Sequence, residues 1–136
     1  MRHIFLISCS KKKGARRAPA EQLYTNPLFK LSLRYARSQN PDAIYILSAK
    51  HGLVPLDEQL VPYDNTLHSL HSEQRTVWGN RVAEQLSLVS DIASDSFTIL
   101  AGELYMQPLR AHIHHINLPL KGLGLGKRLA YLKAHV

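Results

Sequence analysis

Three short segments of the chain carry residue types that suit the binding of an anion or the transfer of a proton. The first runs from Ser8 to Lys13 and directly follows the apolar run from Ile4 to Ile7. A short apolar run that ends in hydroxyl and ammonium groups is typical of a buried strand whose carboxyl end faces a site, because ligands of open α/β sheets bind there. A solvated basic loop is the alternative. The residues expected to contact a phosphate or similar ligand are Ser8, Cys9, Ser10, Lys11 and Lys12.

The second segment begins at Ser48, where another apolar run ends. Ser48, Lys50 and His51 place a hydroxyl, an ammonium and an imidazole within four positions, where they can serve as donor, acid or base. The nearest carboxylates along the chain are Asp57 and Asp64. We expect Asp64, or otherwise Asp57, to act as a general base or to orient a water molecule. The alternative is structural, with Asp64 in a turn and Lys50 in solvent.

The third segment is glycine-rich and opens the last predicted helix. Glycines allow close approach of a ligand to the backbone, and the following helix start presents free N–H groups to an anion. The spacing matches neither a Walker A loop nor a dinucleotide-binding fingerprint, and a tight turn is the alternative reading. The ligand-binding candidates here are Gly122, Gly124, Gly126 and Lys127.

Aromatic side chains near the predicted strand ends are candidates for stacking on a base. Tyr63 and Tyr105 are the principal candidates, with Tyr24 a further one. Tyr105 closely follows Gly102, the residue at which the third apolar run ends. We also predict that Gly102 contacts the ligand. Each ring, taken singly, also fits an ordinary half-buried tyrosine.

The histidine cluster near residue 113 does not predict a metal site. His112 and His114 would project to one face of a strand and His115 to the other, which is awkward for three ligands of one ion. His68 and His71 are three apart, but no carboxylate or cysteine is clustered with them in sequence. We therefore expect neither a metal nor a cofactor.

Composition favours a polyanionic partner. The 136 residues carry a formal net charge of +7, and 45% of them are hydrophobic. This balance favours nucleic acid (DNA or RNA) or a nucleotide as partner. The single Cys9 is compatible with a reducing compartment. No signal peptide or membrane-spanning run is evident, so we expect a soluble cytoplasmic protein with no membrane partner; the oligomeric state stays open.

Strands and helices alternate along the chain, and this pattern predicts the frame that positions the three segments. We expect one α/β domain over residues 1–136, with three layers, a mostly parallel sheet of about four strands and helices on both faces. A long loop is expected from residue 48 to about 69. The predicted strands are 3–8, 43–47, 97–101 and 113–118, and the main helices are 26–38, 72–91, 104–111 and 127–134.

The motifs resemble those of a small family of bacterial and phage proteins. They are also distantly similar to the YaaA-type peroxide-stress proteins, which share an early lysine motif and a later segment ending in Pro-Tyr, although Lys50, His51 and Asp64 stand where that pattern differs. The opening motif is similar to a domain of archaeosine synthases, which act on a modified base in tRNA. The residues that carry the resemblance are 8–13, 23–24 with Phe29, 47–53, 62–67, 101–102 with Tyr105, and 122–126.

The resemblance implies nucleobase chemistry, such as cleavage of an N-glycosidic bond or exchange of a base. In this hypothesis Lys50 or His51 assists the leaving base, while Asp64 orients water or stabilises positive charge on the sugar. A non-catalytic nucleic-acid or nucleotide-binding protein of a stress-related or phage-related pathway is the alternative. A phosphate-ester hydrolase is disfavoured, because clustered carboxylates for magnesium are missing.

Overall fold

The computed structural model describes residues 1–9 and 13–136 and shows a mixed α/β fold. The elements are, in chain order, β1 (His3–Ser8), β2 (Ala18–Pro19), α1 (Ala20–Leu23), α2 (Pro27–Ser38), β3 (Ala43–Ser48), β4 (Gly52–Pro55), β5 (Gln59–Leu60), α3 (Ser72–Val89), β6 (Ser96–Leu100), α4 (Glu103–Arg110), β7 (His115–Asn117) and α5 (Leu125–His135). A short 3-10 helix, Leu67–Ser69, precedes α3.

The main sheet has five strands in the order β4-β3-β1-β6-β7. β1 pairs in parallel with β3 on one side and with β6 on the other, and β7 continues the parallel sheet. Ile7 lies between Ile46 and Leu100 in this register. The ends of the three central strands therefore lie side by side at one edge of the sheet.

The fifth strand, β4, is a difference from the prediction of about four strands and a long loop. It pairs antiparallel with β3, so that Ser48 faces Gly52 across a tight connection. Gly52 has a φ of +74°, which a side chain would strain. Two residues of β5 pair with β2. The sequence predicts a loop here because the four residues of β4, Gly-Leu-Val-Pro, are too few to show the alternation of a strand.

Successive side chains of β1 belong to two separate hydrophobic clusters. Phe5 and Ile7 pack in one cluster with residues of α2 and α5. Ile4 and Leu6 pack in the other with residues of α3 and α4. This division follows from the alternation of side chains along a strand, and it fixes β1 as the centre of the fold.

The helices begin where local chemistry favours a start. The Asn26 side chain accepts a hydrogen bond of 2.8 Å from the Leu28 amide, and Pro27 takes the first position of α2, as the sequence predicts. At α3, the Gln74 side chain accepts a bond of 2.9 Å from the His71 amide. Gly79 of α3 lies close against Pro108 of α4, where a Cβ would come within 2.6 Å of the proline carbonyl oxygen.

Candidate functional site

The sheet order places a topological switch point between β1 and β6. From β1 the chain passes to β3 on one side, and it then returns across the sheet to β6 on the other. In doubly wound sheets a crevice forms at this point, outside the carboxyl ends of the two strands. Ser8 and Cys9 stand at the end of β1, and Ala101 and Gly102 follow β6.

Two adjoining cavities occupy this position. The inner cavity has a volume of about 90 Å³, and the outer cavity about 420 Å³. They share Ser8, Cys9, Gly102 and Arg128, and we call the two together the switch-point site. The inner cavity is completed by Asn26, Leu28, Phe29, Ser32, Leu100, Ala101 and Leu120, and the outer one by His68, Glu103, Leu104 and Tyr105.

Among the residues that the structure describes, Arg128 is the cation that borders both cavities. Its Nε donates a hydrogen bond of 2.8 Å to the Leu123 carbonyl, which fixes the side chain while the outer nitrogens stay near Gly102. A Cβ at Gly102 would lie 3.6 Å from Nη1. Arg128 is not among the residues predicted from sequence, whereas its neighbour Lys127 is. The available signal was that Arg128 also falls in the first turn after the glycine-rich segment.

Cys9 joins the end of β1 to α4. Its thiol lies 3.4 Å from the Tyr105 hydroxyl, and the Tyr105 ring packs edge-on against Trp78, with ring centroids 5.6 Å apart. Burial raises the pKa of the Tyr105 hydroxyl, so it stays protonated at neutral pH. Cys9 and Tyr105, both predicted as ligand contacts, are therefore brought together at the wall of the outer cavity.

Beside this site, a chain of three hydroxyls links the end of β3 to the segment that follows β5. The Tyr63 hydroxyl lies 2.6 Å from Ser48 Oγ and 2.5 Å from the Tyr24 hydroxyl. Burial raises the pKa of Tyr24 to about 12 and also raises that of Tyr63. All three hydroxyls are consequently neutral, and they hold Tyr63 in a fixed position.

The Tyr63 ring is surrounded by basic side chains. Lys13 Nζ lies 4.3 Å from the ring centroid and Lys50 Nζ 5.9 Å from it. The His51 ring stands perpendicular to it at 5.3 Å. Such positions give favourable cation–π contacts. Since Tyr63 is buried and its ring is covered in this way, its contacts are those of a positioning residue more than those of an open stacking surface.

His51 is held as a neutral imidazole. Its pKa is lowered from the ordinary value, first by burial and then by the nearby Lys50. Its backbone is fixed by Arg81, which donates to the carbonyls of Lys50 and His51 at 3.0 and 3.1 Å. A neutral imidazole at pH 7 can accept a proton.

Asp64 lies on an exposed stretch between two buried residues. Tyr63 is anchored by the hydroxyl chain, and Leu67 is fully buried at the start of the 3-10 helix. His68, the next residue, lines the outer cavity. The stretch from Tyr63 to His68 therefore links the end of β3 to the outer cavity, and Asp64 lies near its Tyr63 end.

The remaining predicted residues are dispersed. Asp57 is exposed in the turn between β4 and β5, and neither it nor Asp64 borders the two cavities. Lys127 is exposed, and Gly124 caps α5. At the glycines of the 122–126 segment a Cβ would meet nothing within 4 Å. Ser10, Lys11 and Lys12 lie outside the described residues.

Within residues 1–9 and 13–136, no three His, Cys, Asp or Glu side chains are grouped so as to hold a metal ion. Over the same ranges, no helix combines the length and the apolar character that crossing a bilayer requires.

The fold and site define a mostly parallel α/β protein with a crevice at its switch point that both Arg128 and Glu103 line. The chain belongs to a family of unknown function, DUF6884, whose model matches residues 4–134. No curated protein and no solved structure matches the chain. The similarity to YaaA-type proteins and to archaeosine synthases accordingly stays a prediction.

Proposed function

We propose that the protein binds a nucleotide, free or within a nucleic acid, in the switch-point site and acts on its N-glycosidic bond. The observation that carries the proposal is the pair of adjoining cavities at the ends of β1 and β6, with Arg128 bordering both. A half-buried guanidinium that lines the same two cavities as Ser8 suits a phosphate group. The apolar walls of the inner cavity suit a flat ring. The net charge of +7 favours an anionic ligand further.

The proposed reaction breaks the bond between the sugar C1′ and the base nitrogen. The bonding electrons leave with the base, which takes up a proton from the Lys50 ammonium. That proton passes through water, because neither Lys50 nor His51 lines the two cavities. A water molecule, or an incoming base in an exchange reaction, forms the new bond to C1′ and loses its proton to Asp64. The exposed Asp64 carboxylate stabilises positive charge on the sugar.

Tyr63 and Ser48 serve this reaction as positioning residues in our proposal. Their hydroxyl contact fixes the stretch that carries Asp64, and the Tyr63 ring orders Lys50 and His51. For the fold, we propose the three-layer arrangement with helices on both faces. Its support is the division of the core into two clusters on alternate residues of β1.

A second candidate is nucleotide or nucleic-acid binding without catalysis. The observation that favours it is that both candidate carboxylates, Asp57 and Asp64, are exposed and border neither cavity. A binding module would need Arg128 and the lysines but no carboxylate. Its affinity for a nucleic acid would fall steeply with salt, and no base would be released.

Release of a base separates the two candidates. The purified chain is incubated with single-stranded and double-stranded DNA, tRNA and a mixed nucleotide pool, and free bases are identified by mass spectrometry. We expect release by the wild-type chain and by Asp57→Asn, which removes a comparable exposed carboxylate, and a loss of at least 100-fold in Asp64→Asn, within the range of general acid–base effects. Wild-type turnover in Asp64→Asn would eliminate the assigned role of Asp64.

A further inference from the structure

We infer that the inner cavity takes a single-ring base, so that the ligand of the switch-point site is a pyrimidine nucleotide and not a purine nucleotide. This inference rests on the proposed function and narrows its substrate class. It is carried by the size, the walls and the polar groups of the inner cavity, none of which involves the catalytic assignment of Asp64.

Size is the first argument. The inner cavity measures about 90 Å³. An engineered closed cavity of about 150 Å³ holds one benzene molecule. The inner cavity is therefore smaller than one that encloses a whole six-membered ring. Such a ring can enter it only in part, with the sugar-bearing edge in the adjoining outer cavity, which shares four lining residues with it. Two fused rings would leave most of the base outside.

The walls suit a flat ring. Phe29, Leu100 and Leu120 are almost fully buried and line the inner cavity. The Phe29 ring packs against Tyr24, with centroids 5.1 Å apart, and Tyr24 is itself held by Tyr63. The aromatic wall is therefore rigid, which favours a planar ligand because no side chain has to be ordered on binding.

Asn26 and Ser32 supply polar groups for the edge of the base. Both line the inner cavity, and Ser32 is 3% exposed. The Asn26 Oδ1 accepts the Leu28 amide, so its NH₂ group is the part suited to donate to a base carbonyl. The Ser32 hydroxyl can donate or accept. An amide and a hydroxyl in an apolar cavity give the orientation-specific contacts expected of a base-reading pocket.

The outer cavity is left for the phosphate, because Asn26 and Ser32 line only the inner one. Arg128 borders both cavities, and Glu103 also lines the outer one. The outer cavity, about 420 Å³, has room for a sugar and a phosphate. A nucleotide would thus bind with its base inward and its phosphate beside Arg128.

The test compares ligands that differ only in the base. Dissociation constants of CMP, UMP, AMP, GMP and ribose 5-phosphate are measured by calorimetry with the full chain. We expect CMP or UMP to bind at least 10-fold more tightly than ribose 5-phosphate, and AMP and GMP to gain less than 3-fold over it. Competition by oligo(dC), oligo(dT) and oligo(dA) then tells a polymer from a free nucleotide as the source of the pyrimidine.

Variants separate the base contacts from the phosphate contact. Asn26→Ser keeps a helix-capping oxygen but removes the amide, and Ser32→Ala removes the hydroxyl. Each should weaken pyrimidine nucleotide binding about 5-fold or more and leave ribose 5-phosphate unchanged. Ser38→Ala, at the far end of α2, is the matched control. Arg128→Gln should weaken every phosphorylated ligand.

The outcomes distinguish two failures. If nucleotides bind through Arg128 but purines bind as tightly as pyrimidines, and Asn26→Ser and Ser32→Ala have no effect, the base-size inference is wrong while the site stands. If no nucleotide or sugar phosphate binds, or Arg128→Gln has no effect on binding, the proposed function itself is wrong.

Discussion

The Ser48 hydroxyl at the end of β3 lies 2.6 Å from the Tyr63 hydroxyl, 15 residues further along the chain. Through this contact the central sheet holds the stretch that carries Asp64. Tyr24 completes the chain from the other side, and the Trp78 indole donates to the Ser48 carbonyl at 2.9 Å. The carboxyl end of β3 is thus a junction between the sheet, α3 and the rim of the candidate site.

Removing the Tyr63 hydroxyl should destabilise the fold. Tyr63→Phe leaves the buried Ser48 and Tyr24 hydroxyls without their shared partner, and we expect a loss of about 1–3 kcal/mol in the free energy of unfolding. Urea denaturation measures it. Tyr45→Phe, a partly exposed tyrosine of the same strand as Ser48, should change stability by less than about 0.5 kcal/mol. Equal losses in the two variants would show that the hydrogen bonds of Tyr63 to Ser48 and Tyr24 do not stabilise the fold.

Stability should fall steeply above pH 10. Burial raises the pKa of Tyr24 from 10.0 to about 12. As the pH rises, the unfolded chain therefore loses this proton before the folded chain does. The protonated Tyr24 contributes its full share to the free energy of unfolding below pH 10, and this share is lost as the pH rises toward 12. A shift of two pKa units corresponds to about 2–3 kcal/mol. Phenolate absorbance of the folded chain at pH 11 should lie well below that of the urea-unfolded chain. Equal absorbance at this pH would contradict burial of the ring.

His51 should titrate below the ordinary histidine range. Its pKa is lowered by burial and, to a lesser degree, by Lys50. Below pH 6.5 the unfolded chain binds the proton more readily, so His51 lowers the free energy of unfolding as the pH falls. NMR titration should show the His51 pKa rising part of the way toward 6.5 in Lys50→Gln and unchanged in Lys127→Gln. A shift of the same size in both variants would mean that the net charge of the protein, and not the proximity of Lys50, lowers the His51 pKa.

The contact between α3 and α4 should tolerate no side chain at Gly79. A Cβ there would meet Pro108 at 2.6 Å, whereas at Gly126 of α5 it would meet nothing within 4 Å. We expect Gly79→Ala to lower the free energy of unfolding by about 1–3 kcal/mol through overpacking. Gly126→Ala should raise it by up to about 1 kcal/mol through helix propensity. Thermal unfolding of both variants checks the opposite signs, and a neutral Gly79→Ala would refute the close approach.

The sequence predicts the frame better than the site. The apolar runs before Ser8 and Ser48 predict β1 and β3 because a buried parallel strand needs continuous apolar residues. Asn26 followed by Pro27 predicts the start of α2 from local chemistry alone. β4 escapes prediction because it depends on pairing with β3, which a four-residue segment does not reveal.

Arg128 shows why the site is harder to predict. It lines the same cavities as Ser8 and Gly102 only because β1 pairs with β6, which brings the ends of these two strands together. Both Lys127 and Arg128 closely follow the glycines in sequence, so the sequence does not distinguish them. In the packed fold Arg128 is partly buried and Lys127 is exposed. The contact of Ser48 with Tyr63 has the same origin, since hydroxyl partners leave no spacing signal.

Binding by variants of these two neighbours tests the central claim most directly. Arg128→Gln and Lys127→Gln each remove one positive charge from adjacent positions of α5, but only Arg128 borders the two cavities. The wild-type chain and both variants are equilibrated with a mixed pool of nucleotides and short oligonucleotides, and the retained molecules are quantified by mass spectrometry after ultrafiltration. We predict retention of a nucleotide by the wild type and Lys127→Gln, with a loss of at least 10-fold in Arg128→Gln. Equal retention by Arg128→Gln and the wild type, or none by the wild type, would contradict a nucleotide site at the switch point.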